Sequence, residues 1–301
     1  MSSSTSSSRR HVVALAVSLA AGLLVFAAGS EALVRVAMQV DPYETYRARF
    51  RAAAGEAIAI GDSRTAANIA GPGVENLGQP GDDLQSVLEK LAARHARRPL
   101  RLVLLQADPH QFAAYRVFKE SAGKLADLVE APPPLAMLRP HYRQYLLGYW
   151  RAALAEPSRF LRPAPAHAEA PPPPPDPNGK AWRDLADSRV QFHVPLAAPQ
   201  GLPVHAAYRR TIEALRRDGV AVCLVTHPVS RAYREAAARY PSFAAALALY
   251  DRTAAETGAA RANFWDQVED RDFADTDHLG AATAPAYTTR VLRSCFPGRS
   301  G

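Results

Sequence analysis

The stretch Glu56-Ala57-Ile58-Ala59-Ile60-Gly61-Asp62-Ser63-Arg64-Thr65-Ala66-Ala67 decides how the chain is read. Alternating apolar residues from Glu56 to Ile60 make a short strand, Gly61 permits a sharp turn, and Arg64 to Ala67 can open a helix. A serine at a strand-to-helix turn stands exposed at the C-terminal edge of a sheet. The helix start offers it backbone N–H groups and a positive dipole end, suited to a developing oxyanion. Asp62 can tie the turn together through side-chain-to-backbone bonds. Taken alone, Gly61-Asp62-Ser63 equally describes an ordinary turn, because Asp and Ser are common turn formers.

Outward from this turn, strand and helix patterns alternate. Val74 to Leu77 is a second strand candidate. Asp82, Asp83 and Gln85 resemble an N-cap with its capping-box partner. The helix they open puts Leu84, Val87, Leu88 and Leu91 on one face. Leu100 to Leu105 is a continuous apolar run, expected of a strand buried on both faces of a parallel sheet. Tyr208 to Arg217 has a helical pattern, and Val220 to Val225 is another buried strand. A helix through Ala236 to Ala255, a short strand near Ala262 to Trp265 and a terminal helix over Ala282 to Leu292 complete the series. Such alternation predicts an α/β fold with a parallel sheet.

The interval from Phe112 to Val204 breaks the rhythm. It holds Pro132-Pro133-Pro134 and the stretch Pro163 to Pro177, with consecutive prolines from Pro171 to Pro175. That run is a polyproline spacer or a disordered loop, never a core element. Between the two lies a helical stretch carrying Tyr142, Tyr145, Leu146, Tyr149 and Trp150, an aromatic stripe expected to pack rather than bind. The whole interval is expected to be an insertion over the ligand edge of the sheet.

The N-terminus suggests an address. The polar run Ser2 to Ser8 leads to Arg9-Arg10, then Val12 to Ala28 is almost purely apolar. At about 17 residues it is the short end of a bilayer-spanning helix, extendable toward Ala37. Glu31 and Arg35 point to an interfacial position there. Positive charge ahead of the apolar run predicts a cytoplasmic N-terminus and export of the remainder of the chain. A cleaved signal peptide, cut near Ala27-Ala28-Gly29-Ser30, is the competing reading.

Composition narrows the classes further. The 301 residues are 48% hydrophobic, enough for a sizeable core, and the net charge is +7. No Lys/Arg run is interleaved with aromatics, so no nucleic-acid partner is expected; anionic lipid or acidic envelope polymers fit better. Cys223 sits in an apolar strand pattern and reads as a small buried hydrophobe. A disulfide with Cys295 stays open, without a framework of spacings to support it.

Near the C-terminus stands Asp275-Thr276-Asp277-His278-Leu279. A histidine three residues after an aspartate lets the carboxylate orient the imidazole, whose other nitrogen can take a proton from a serine. Asp275, Asp277 and His278 could alternatively hold a divalent metal, but no further His/Asp/Glu cluster completes a coordination set, and no metal is expected.

The two pieces, Gly61-Asp62-Ser63 and Asp275/His278, together resemble the SGNH (GDSL-like) hydrolase superfamily. The resemblance covers residues 56–111 and 205–293. It implies a flavodoxin-like three-layer α/β/α domain in which Ser63 is the nucleophile, His278 the base and Asp275 its orienter. Asp62 and Asp277 would be supporting residues, Asp277 also being the alternate orienter of His278. It implies oxyanion donors at Ser63 and at Gly81, within Asn76-Leu77-Gly78-Gln79-Pro80-Gly81. Where the family usually carries an asparagine after its third strand, this chain has Gln106-Ala107-Asp108-Pro109-His110. Gln106 could donate an amide hydrogen bond, whereas an ionised Asp108 would repel an oxyanion. His110 reads as structural or solvent-facing.

The anchored layout is similar to the envelope-facing members involved in polysaccharide O-acetylation and teichoic-acid D-alanylation. Thr226-His227-Pro228-Val229-Ser230 adds to that likeness; His227 at this strand end could face the site, but reads first as a loop histidine. The resulting organisation is a cytoplasmic tail (1–10), a transmembrane signal anchor (11–37), a connector (38–55) and a hydrolase-like domain (56–296) with its insertion at 112–204. The resemblance implies a serine esterase or O-acyltransferase of the periplasmic side, without a cofactor. Its partners would be an acylated or acyl-accepting carbohydrate, the membrane and envelope assembly proteins. The rivals are a non-catalytic component of an envelope polysaccharide assembly or export complex, and a metal-dependent phosphoesterase.

Overall fold

The computed structural model describes residues 5–39, 41–118, 124–129, 134–156 and 176–298. The Pro171 to Pro175 run and Pro132-Pro133 lie outside the described residues. The chain divides into two compact units, 1–47 with 126–171, and 48–125 with 172–301. The interval 112–204 is therefore not one block. Its middle joins the N-terminal helix, and its end joins the sheet.

In the larger unit, five strands form a wholly parallel sheet in the order β2-β1-β3-β4-β5. They are β1 (Ala57–Ile60), β2 (Glu75–Asn76), β3 (Leu102–Gln106), β4 (Ala221–Thr226) and β5 (Ala260–Asn263). Every residue of β3 is buried, as a central strand covered on both faces requires. Side chains alternate between faces. Ala59, Leu104, Cys223, Val225 and Ala262 lie in one core with residues of the helices Lys180–His193, Arg231–Ala237 and Ala284–Cys295. On the other side the helices Leu84–Arg97, Pro203–Arg217 and Pro241–Thr257 pack together. This is the expected three-layer α/β/α arrangement with flavodoxin-like strand order. The order reverses between β1 and β3, which places a crevice at their C-terminal ends.

Several local expectations shift. The helix expected over Ala236 to Ala255 is two, Arg231–Ala237 and Pro241–Thr257, because Pro241 cannot continue the first and instead starts the second. Asp83 caps Leu84–Arg97 by accepting the Ser86 N–H at 2.8 Å, whereas Gln85 bonds Glu89 rather than closing a capping box. Cys223 is not a free thiol. It forms a disulfide with Cys295, joining β4 to the last helix.

In the smaller unit, the helix Thr5–Met38 contains a 28-residue segment, His11–Met38, long and apolar enough to cross a membrane. That segment measures roughly 42 Å at 1.5 Å per residue. Its leucines and valines from Val12 to Val25 are exposed, so no protein core claims them. Glu31 is not simply a charge at an interface. It pairs with Arg35 at 2.7 Å and accepts the N–H groups of Ala136 and Met137, both at 3.1 Å. Tyr142 is fully buried beside Val34 and Ala136, so that part of the aromatic stripe packs as expected. The expected connector 38–55 is largely helical, over Pro42–Ala52.

Candidate active site

The serine turn is held by close backbone approaches. β1 ends at Ile60, and Ser63 is the first residue of the helix Ser63–Asn68. A Cβ on Gly61 would fall 2.2 Å from both Gln106 Oε1 and Thr65 Oγ1, so only glycine fits there. Gly78, following β2, lies against the first helical turn, where a Cβ would stand 2.4 Å from the Ala66 nitrogen. Asn76 secures the same helix. Its amide nitrogen reaches the carbonyls of Thr65, Ala66 and Ile69 at 2.9, 3.1 and 2.6 Å, while its oxygen accepts the Gly78 N–H at 2.8 Å. N–H groups in a first helical turn have no intrahelical acceptor; here Asp62 Oδ1 takes the Arg64 N–H at 2.9 Å.

The Asp275–His278 turn is organised around one carboxylate. Asp275 Oδ1 accepts the N–H groups of Asp277 at 3.0 Å and of His278 at 2.9 Å. Both Asp275 oxygens then lie 2.9 Å from His278 Nδ1. A proton on Nδ1 leaves Nε2 as an acceptor, and Nε2 stands 3.0 Å from Ser63 Oγ. Leu279 donates its N–H to Asn68 Oδ1 at 2.8 Å, pinning this loop to the end of the serine helix. The structure thus brings together three residues separated by up to 215 positions, in the geometry by which an imidazole can accept a hydroxyl proton.

Two arginines surround the loop. Arg64, fully buried, donates from Nε and Nη2 to Asp277 Oδ2, both at 3.1 Å. Arg189, on Lys180–His193, donates from Nη2 to Asp275 Oδ2 at 2.9 Å and from Nη1 to Asp277 Oδ1; Nη1 also lies 3.3 Å from His278 Nδ1. Burial would raise the Asp277 carboxyl, but Arg64, His278, His193 and Arg189 outweigh it and hold the group below the usual carboxylate range. For His278, burial disfavours the charged form, yet the bond to Asp275 and the charges of Asp277 and Asp275 win and raise its pKa. The carboxylates that a cation would need are already engaged by guanidinium groups, which argues against the clustered Asp275, Asp277 and His278 serving as a metal site.

Behind the serine, Asp62 is a buried hub. Oδ1 accepts the Arg64 N–H at 2.9 Å and Gln106 Nε2 at 2.8 Å. Oδ2 accepts from His110 Nε2 at 2.6 Å and Gln111 Nε2 at 3.1 Å, and forms an ion pair with Arg116 Nη2 at 2.8 Å. Burial opposes its charge, but His110, Arg116 and Arg64 hold its carboxyl well below the ordinary range. Burial pushes His110 down to about 4.

Gln106 differs from its expected role. Its amide donates to Asp62 and to Asp108 Oδ2 at 2.6 Å, its oxygen accepts the Asp62 N–H at 2.5 Å, and it is 2% exposed. Both amide hydrogens are spent on carboxylates, so the side chain fixes the turn and has no hydrogen left for an oxyanion. Asp108 is buried, accepts the His227 N–H at 2.7 Å, and burial raises its pKa to about 7 despite Arg64. His227 stands in the loop after β4, as expected, and is buried there between Thr65 Oγ1 and the Tyr287 hydroxyl, each 3.1 Å away. Gly81 has φ +81°, a left-handed conformation that favours glycine.

Arg64, Arg189, Asn68 and Arg116 are the site residues that sequence reading missed. For Arg189 a signal existed. Trp182, Ala186 and Val190 recur every four residues and are all fully buried, marking a core helix within the supposed insertion. No family model matches the chain, and no curated protein matches it in sequence.

Proposed function

We propose that the chain is a membrane-anchored serine enzyme of SGNH type that hydrolyses or transfers acyl esters on an envelope carbohydrate. The observation that carries this reading is the Ser63 Oγ to His278 Nε2 approach of 3.0 Å, with Asp275 on the opposite imidazole nitrogen. In the proposed reaction Ser63 Oγ attacks an ester carbonyl while His278 takes its proton. Asp275 stabilises the imidazolium. The backbone N–H groups of Ser63 and, by the resemblance, Gly81 hold the oxyanion. Collapse breaks the ester bond, His278 returns the proton to the departing alcohol, and the acyl group stays on Ser63. An incoming hydroxyl then gives its proton to His278 and attacks the acyl-serine. Water yields the free acid; a sugar hydroxyl yields a new ester. The Cys223–Cys295 disulfide supports an extracytoplasmic setting, since such bonds persist in oxidising compartments.

The competing reading is a non-catalytic component of an envelope assembly or export complex. The commitment of Gln106 to Asp62 and Asp108 favours it, because a third oxyanion donor is not supplied by that side chain. A serine-reactive fluorophosphonate probe separates the two. The full-length protein in detergent is expected to label covalently, and Ser63→Ala is expected to abolish labelling. A folded wild-type sample that takes no label supports the non-catalytic reading.

A further inference from the structure

The helix Leu146–Ala155, in the smaller unit, contains no fully buried residue. Leu147 and Leu154 are 71% and 77% exposed. A short helix facing water turns its polar side outward, and this one does not. Nor does the segment from Pro134 to Ala155 contain any acidic residue.

Its inner side is fixed on the N-terminal helix. Trp150 stacks on Phe26 with ring centroids 5.6 Å apart and donates its indole N–H to Ser30 Oγ at 2.9 Å. The ring lies so close over Gly29 that a Cβ there would come within 2.9 Å of it. Leu146 and Tyr149 pack instead with the cluster around Val34, alongside Met38. Rising residue number in the short helix thus leads back toward the beginning of the long one, so the two run antiparallel. From Trp150 to Leu154 the helix advances roughly 6 Å further. That brings its end beside the apolar, exposed stretch that precedes Phe26.

We propose that Leu146–Ala155 is a second membrane contact, dipping into the leaflet beside the N-terminal span. This inference rests on the reading that the N-terminal helix crosses the bilayer. Leu147 and Leu154 face acyl chains. Tyr145, Tyr149 and Trp150 supply the aromatic residues suited to a membrane interface. Arg143 and Arg151, both exposed, reach anionic headgroups, Arg151 by extending its side chain outward. Lipid is the occupant that fits, because the face continues the exposed apolar surface of the span.

The test uses the full chain in vesicles of phosphatidylethanolamine and phosphatidylglycerol that carry a nitroxide lipid. Both native cysteines are paired, so one added cysteine takes an environment-sensitive fluorophore selectively. Leu147→Cys and Leu154→Cys are expected to show blue-shifted emission and loss of fluorescence to the nitroxide. Leu19→Cys is the control for the span, and Arg271→Cys, 78% exposed in its side chain, is the control for water. If Leu19 is quenched while Leu147 and Leu154 behave like Arg271, this inference fails and the anchor stands. If Leu19 is not quenched either, the anchor reading itself fails. Blue-shifted labels at Leu147 and Leu154 that the nitroxide leaves untouched would mean a protein partner covers the face, which also overturns the assignment to lipid.

Discussion

Arg64, the residue after the candidate nucleophile, donates two hydrogen bonds of 3.1 Å to Asp277, the residue before the candidate base. The serine turn and the histidine loop are thereby joined by a buried ion pair as well as by the Ser63–His278 contact. Leaving a buried charge wholly unpaired typically costs about 3–5 kcal/mol, and the loss here should be smaller because Arg189 still engages Asp277. Arg64→Met is expected to lower the unfolding midpoint of the detergent-solubilised protein. In the surviving folded fraction it should reduce kcat for p-nitrophenyl acetate more than it raises KM. An unchanged midpoint and unchanged kcat would show that the pair does not hold the loop.

The raised pKa of His278 sets opposite pH trends for activity and stability. In the proposed reaction neutral imidazole is the base, so kcat/KM is expected to climb with pH through a midpoint above the ordinary value of about 6.5. The stability contributed by the imidazolium is fully present below that ordinary value and is lost as pH rises through the folded one. Asp275→Asn removes the largest raising influence. It should shift the activity midpoint downward and reduce kcat by a factor on the order of 10⁴. A pH–rate profile of both proteins checks it, and a coincident midpoint would contradict the assignment of Asp275.

Arg189 brings a cation within 3.3 Å of His278 Nδ1 while also engaging Asp275 and Asp277. Replacing it by glutamine frees both carboxylates to act on the imidazolium. The activity midpoint is expected to move upward in Arg189→Gln, and Arg189→Lys should restore part of the difference. A downward shift would contradict this reading of the electrostatics.

Asn76 has a distinct signature, because its amide nitrogen faces three carbonyls and its oxygen faces an N–H. Asp at this position would set an oxygen against the carbonyls. Each buried group left unsatisfied costs about 1–3 kcal/mol. Asn76→Asp is therefore expected to unfold at lower denaturant than Asn76→Ala near neutral pH, despite being the smaller change in shape. The reverse order would indicate that the amide is not oriented by those carbonyls.

Most of the sheet was legible because buried parallel strands are short apolar runs, as in Leu102–Gln106 and Ala221–Thr226. Ser63 and the Asp275–His278 turn were legible for a related reason, since each motif is assembled by neighbours in sequence. What could not be read were contacts made across the fold. An arginine in a helix looks like a solvated residue until its partner is known, which is how Arg64 and Arg189 were missed. The same applies to Cys223 and Cys295, 72 positions apart. Gln106, read as a possible oxyanion donor, gives its amide to Asp108 nearby and to Asp62, 44 positions away, and the second of these bonds is invisible in the linear chain.

The distance in sequence between Ser63 and His278 carries a further consequence, for timing. One comes from the end of the first strand, the other from after the fifth, 215 positions later. Contacts of such high order form only when the intervening chain has closed its loops. A nascent chain would carry the serine without its partner histidine. If the proposed function holds, reactivity at Ser63 reports completed folding, because the base arrives only with the C-terminal part of the chain.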